Sequence, residues 1–200
     1  MKRVLAVMLA LVALTALGYA QTLSAADRES AVKYLESTKQ GVLDATKGLS
    51  PAQWNFKPAP DKWSIAEVVE HIAAAEDYLR GNAENVLKSP PRPEGDDVKA
   101  IDELVLAKVP DRTNKVQAPE PLRPTNRYGS AEGSLKHFVE SRAQTMDFLA
   151  KHDDLRAHAA DSPFGKKLDA YEWVLFTGGH SERHTKQINE VKADPNFPKS

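Results

Sequence analysis

Three histidines carry the chemistry this sequence offers. His71 lies in Trp63-Ser-Ile-Ala-Glu-Val-Val-Glu-His71, and His180 and His184 form a His-x-x-x-His pair more than a hundred residues later. A spacing of four places the pair on one helix face, one turn apart. Each of the three borders an apolar stripe, where a neutral imidazole needs a partner. Together they offer three nitrogen ligands to one divalent metal and leave a position open for water or substrate. Ser181 follows the first histidine of the pair where zinc peptidases place glutamate, and Glu182 points to another side of the helix, so the peptidase motif is absent. The absence of cysteine excludes thiolate ligands and cysteine nucleophiles.

The elements that must position these residues read as helices. Ser24 and Asp27 open a first helix to about Gly48, with Ala31, Leu35, Thr38, Val42 and Ala45 on one face. A proline-rich connector follows over Ser50 to Lys62. Ser64 and Glu67 form a capping box for a second helix that runs to about Leu87 and carries His71. A third helix is expected from Ser134 to about His152. Asp169 and Glu172 cap a fourth, which carries His180 and His184 and ends at Pro195. Gly178 and Gly179 interrupt that helix at about 1 kcal/mol each relative to alanine, so a close approach by a ring, a helix or a ligand is expected there. Between the second and third helices, residues 89–130 hold seven prolines and one short helical stretch, Asp97 to Lys108. A loop of that length is expected to cover a site or wrap a surface. No segment alternates well enough to predict a sheet. The fold class is all-α, an up-and-down-type four-helix bundle with a long proline-rich crossover between helices 2 and 3.

Composition limits the partners. Lys2 and Arg3, an apolar run from Val4 to Leu17 and the small residues Gly18 and Ala20 predict a secretory signal peptide over 1–20, leaving a mature domain over 21–200. The apolar run is short for a bilayer crossing, so no membrane insertion is expected after cleavage, and the protein is expected to be periplasmic or secreted. Loss of Lys2 and Arg3 leaves 25 basic residues against 28 acidic ones, a formal charge of −3. Basic residues are interspersed with acids and form no stripe, which argues against nucleic acid. One domain of this length supports a sizeable core, and a homodimer is plausible.

The segments Lys62-Trp-Ser-Ile-Ala-Glu-Val-Val-Glu-His71-Ile-Ala and Gly179-His-Ser-Glu-Arg-His184-Thr-Lys-Gln-Ile resemble the second- and fourth-helix signatures of the DinB-like family of metal-binding four-helix bundles. The resemblance covers most of the mature chain. It implies a divalent metal, most often zinc or nickel, held by His71, His180 and His184. It also brings in members that resemble thiol-dependent transferases or isomerases, a chemistry that sits poorly with export from the thiol-rich cytoplasm. The function expected is an exported metalloenzyme of unknown substrate that activates water or a small thiol. A non-catalytic metal-dependent binding or sensor protein is the alternative. Glu67 lies one turn before His71 as a base or as a hydrogen-bond acceptor behind a ligand imidazole, although capping is its simpler role. Gln187, Trp63, Tyr128 and Arg142 are candidates to line the pocket, His137 is a weaker fourth ligand, and His152 and His158 are expected to be solvated.

Overall fold

The computed structural model describes residues 22–199, so the predicted signal peptide lies outside the described residues. Four long helices form the body: α1 (Ala25–Thr46), α3 (Ile65–Val86), α5 (Ala131–Lys151) and α6 (Ala170–Lys192). Two shorter ones, α2 (Pro51–Asn55) and α4 (Val98–Lys108), lie in the connections. Among the described residues no helix is long and apolar enough to cross a membrane.

The caps read from the sequence set most boundaries. Ser24 accepts from the Asp27 amide, and reciprocal capping boxes join Ser64 with Glu67 and Asp169 with Glu172. Each box satisfies two amides that a helix start leaves without partners. Two starts differ from expectation. Ser50 caps α2, with Pro51 at the first helical position, where its missing N–H costs nothing. Ser130 caps α5 ahead of the expected Ser134, whose hydroxyl instead donates to the Ser130 carbonyl.

α3 packs against α5 and α6, while α1 packs against α6 and, over a shorter seam, α5. The consecutive pairs α1/α3 and α5/α6 therefore lie across the diagonal while α3 and α5 are neighbours, whereas a simple up-and-down bundle sets every consecutive pair side by side. Long connections make that order possible, because they cross the bundle before the next helix starts. The second connection is also more regular than its prolines suggest. It contains α4 and a 3₁₀ turn at Glu120–Leu122, and a bridge pairs Pro91 with His158. One element was not foreseen. β1 (Ala159–Asp161) and β2 (Lys167–Asp169) form an antiparallel hairpin immediately before α6. Strands of three residues are too short to show an alternation.

The core has two apolar halves. One gathers Val42, Ile65, Val69, Ile72, Phe138 and Ile188, and the other Leu35, Ala75, Leu79, Leu149, Trp173 and Val174. A buried polar layer lies between them. The fully buried Arg142 of α5 donates to Glu76 of α3 at 3.0 Å, to the Leu35 carbonyl at 2.6 Å and Thr38 at 2.9 Å on α1, and to Ser181 of α6 at 2.8 Å. One guanidinium thus touches the other three long helices at one level. An ion pair this deep gains little net stability against its desolvation. Its donors are used, however, and the pairing holds only in one register.

Candidate metal centre

His71 sits on the second turn of α3, in the register set by the Ser64 cap, and faces α6. His180 and His184 face back from consecutive turns of α6. The Nε2 atom of His71 lies 3.2 Å from that of His180 and 3.2 Å from that of His184. One ligand atom from each residue falls within 4.8 Å of the others. A tetrahedral ion with metal–nitrogen bonds of about 2.0–2.1 Å requires nitrogens about 3.3–3.4 Å apart, close to what these rings show.

Neighbours fix which nitrogen is free. The Nδ1–H of His71 donates to the Leu122 carbonyl at 2.8 Å. A carbonyl can only accept, so the Nε2 lone pair is left facing inward. The Nδ1–H of His184 donates to Gln187 Oε1 at 2.8 Å, and Arg112 donates to the same oxygen at 3.3 Å, which orients the amide. Such outer partners hold ligand imidazoles in the correct tautomer. Burial lowers the basicity of His71, an effect partly offset by its bond to Leu122. Burial pushes His180 and His184 well below the usual imidazole range, and the neighbouring imidazoles add to the effect. All three rings are thereby held neutral, the form that binds metal. His71 and His184 are buried and His180 is partly exposed, so solvent approaches from the His180 side. Donor type, spacing, tautomer and neutrality all fit one divalent ion with an open position.

The glycines before His180 answer to two close approaches. A Cβ on Gly178 would lie 2.8 Å from the Tyr34 ring, and one on Gly179 would lie 3.0 Å from Val109 Cβ. Gly178 thus admits α1, with Tyr34 bonding Glu182 at 2.9 Å, and Gly179 admits the end of α4. The crossover reaches the site through Leu122 and Arg112. It is pinned next to His71 by Glu70, whose carboxylate accepts the backbone N–H groups of Thr125, Asn126 and Arg127 at 2.7, 2.9 and 3.0 Å. Burial raises the Glu70 carboxyl, but these three donors outweigh it and leave the group below its ordinary range.

The other sequence candidates divide. Trp63 is a neighbour of the centre, its ring 5.0 Å from that of His71, and Gln187 is the acceptor just described. Tyr128 stacks instead on His137 at 4.3 Å, and His137 pairs with Asp77 at 2.7 Å, so neither joins the cluster. Arg142 is held by Glu76 in the polar layer. Glu67 accepts the Ser64 amide at 2.8 Å and pairs with Lys57 at 2.7 Å, the capping role. His152 bonds the Phe148 carbonyl, and His158 the Ser89 carbonyl. The sequence reading missed Leu122, whose backbone oxygen carries no signal in a residue type. It also missed Glu70 and Glu76, which occupy positions on a helix that otherwise buries apolar residues.

A helical bundle holding three inward-facing histidines defines a class of metal-binding four-helix bundles. The family model of the DinB superfamily matches residues 34–188, and the chain belongs to that superfamily. The uncharacterized protein YuaE of Bacillus subtilis (strain 168) is 31% identical over 148 residues, covering 73% of this chain and 87% of that protein. The fold is also similar to that of YfiT from Bacillus subtilis, described as a probable metal-dependent hydrolase with an unusual four-helix bundle topology. That likeness has a TM-score of 0.58 at 15% identity and covers 89% of this chain and 93% of that one.

Proposed function

We propose that the protein is an exported metalloenzyme in which His71, His180 and His184 hold a divalent ion, zinc or nickel, that serves a small-molecule reaction. The convergence of the Nε2 atoms of three neutral imidazoles, with His180 the partly exposed member, carries this reading. When bound, the ion would supply Lewis-acid activation of water or a small thiol. His71 and His184 orient their lone pairs through Leu122 and Gln187. Trp63 walls one side, and the proline-rich crossover shields the centre from bulk water. The description of YfiT as a probable metal-dependent hydrolase favours water over thiol as the activated group, as does the predicted export.

A specific observation favours a second reading, a non-catalytic metal-dependent binder or sensor. The acids near the histidines along α3 are committed: Glu67 to a cap, Glu70 to three amides and Glu76 to Arg142. None is left as a dedicated proton carrier. Metal analysis of untagged protein and of its His71→Ala, His180→Ala and His184→Ala variants tests the site. Parent protein should carry one equivalent of metal and each variant much less; equal content in all four overturns the assignment. Screening the loaded parent against ester, amide and thiol-transfer substrates separates the two readings. Turnover that vanishes with the metal supports the enzyme, and saturable binding without turnover supports the binder.

A further inference from the structure

One arginine held partly inside the protein has no acid to answer it. Among the described residues, Arg28, Arg80, Arg92, Arg112, Arg142 and Arg156 are each at least partly buried, and each pairs with a carboxylate. Arg183 of α6 is partly buried too, but its guanidinium donates only to backbone carbonyls, those of Asp111 and, at 2.7 Å, Asn114. Carbonyls accept its hydrogen bonds and leave its charge unopposed. The acids around it are committed elsewhere. Asp111 turns its carboxylate onto Thr113, Glu182 pairs with Lys186 at 2.8 Å and accepts from Tyr34, and both oxygens of Glu190 are taken by Arg112 at 2.7 Å. A partly desolvated charge is costly to hold without a counter-charge, so an anion from outside the chain is the missing partner.

Arg183 stands where a ligand of the histidine centre would meet it. It follows His180 by three positions and precedes His184 by one, and residues three apart on a helix have Cβ atoms about 5–6 Å apart. His180 is the partly exposed member of the cluster. The Arg183 charge adds to burial and to the neighbouring imidazoles in lowering the basicity of both histidines of α6. The two carbonyls occupy one N–H on each terminal nitrogen, and the donors left over match the paired oxygens of a carboxylate. We infer that Arg183 is a specificity-determining residue of the histidine centre, selecting a small molecule that carries a carboxylate a few bonds from the group that meets the metal. The inference rests on the metal reading above: three neutral imidazoles leave a divalent ion its full charge, which favours an anionic ligand on the same side.

The test uses the full chain loaded with Co²⁺, whose visible absorption reports a ligand entering its coordination sphere, and a matched pair of hydroxamates. Succinic monohydroxamate carries a carboxylate where butyrohydroxamate carries a terminal methyl group. The parent should bind the first about 10–100-fold more tightly, the range for one hydrogen bond to a charged group. Arg183→Gln, which can still donate to a crossover carbonyl, should lose that preference and keep the parent affinity for butyrohydroxamate. Arg183→Lys, which keeps the charge, should retain most of it. A preference that is absent from the parent, or that survives in Arg183→Gln, overturns the inference and leaves the metal reading standing. A stronger Arg183-dependent preference for 3-phosphonopropionohydroxamate overturns the carboxylate class. A parent that takes up no Co²⁺ overturns the metal reading and this inference with it.

Discussion

Two buried polar clusters sit on the same helix and are built on opposite principles. At the start of α6, the carboxylates of Asp169 and Glu172 meet the guanidinium groups of Arg92 and Arg156, and Asp102 pairs with Arg156 at 2.6 Å. Charges there are opposed, and the cluster ties the hairpin, α4 and the early crossover to one helix end. Three turns later the Nε2 atoms of the three histidines face one another, those of His71 and His184 as free acceptors. The first cluster opposes its charges within the chain. The second has a surplus of acceptors, since only His180 Nε2 is left able to carry a proton, and a cation would satisfy all three nitrogens. Burial of polar groups therefore does not by itself mark a site; a surplus of one kind of partner does.

The comparison makes opposite pH dependences, and this is the largest expected effect. The histidines have folded pKa values below the ordinary 6.5 or so, so the unfolded chain binds more protons there. Their contribution to metal-free stability is present above that value and is lost as pH falls below it, by as much as about 1.4 kcal/mol per imidazole per pH unit. Burial, with Asp169 beside it, raises the Glu172 carboxyl, so its contribution is fullest at low pH and fades as pH rises through the folded value. Urea unfolding of metal-free protein from about pH 7.5 down to about pH 4.5, through the ordinary imidazole value of about 6.5, should show a steep acid limb. A His180→Leu/His184→Leu variant should flatten that limb. An equally steep limb in the variant would place the acid sensitivity elsewhere.

Glu76→Ala comes next. It leaves the fully buried Arg142 without its counter-charge, which costs about 3–5 kcal/mol. The loss should appear with and without metal, since the pair fixes the bundle and not the ion. A variant destabilised only when metal is present would move Glu76 into the centre. Gln187→Leu should act in the reverse manner. The His184 tautomer loses its acceptor, and metal affinity should fall about 10–100-fold, read by competition with a chelator, while metal-free stability changes little.

How much of this was legible depends on how local the signal is. Capping boxes announce themselves within four residues, and Ser64 with Glu67 and Asp169 with Glu172 set the two helices that carry the histidines. His-x-x-x-His is likewise local. The meeting of His71 with that pair spans more than a hundred residues, and only the paired family signatures made it readable. The proline-rich Ser50–Lys62 segment read as a connector although Pro51 opens α2, because proline stops a helix from within and starts one at its first position. The diagonal order of the bundle, the hairpin and the Leu122 carbonyl were illegible for a common reason. Each depends on where a connection lands, and side-chain periodicity says nothing of that.

Glu67 gives the smallest effect and the sharpest use of the contrast. Its position one turn before His71 invites a catalytic reading, yet its oxygens are taken by the Ser64 amide and the Lys57 ammonium. Glu67→Gln keeps an acceptor for the amide and loses only a partly exposed ion pair, a change of about 0–1 kcal/mol. Stability and metal content should both be nearly unchanged. Any turnover found for the parent should survive as well, since a glutamine that still caps α3 still holds His71 in register. A loss of turnover with metal and stability intact would mean that Glu67 leaves its cap during the reaction. A carboxylate with its charge opposed within the chain would then also serve the histidines, and the contrast between the two kinds of cluster would fail at that residue.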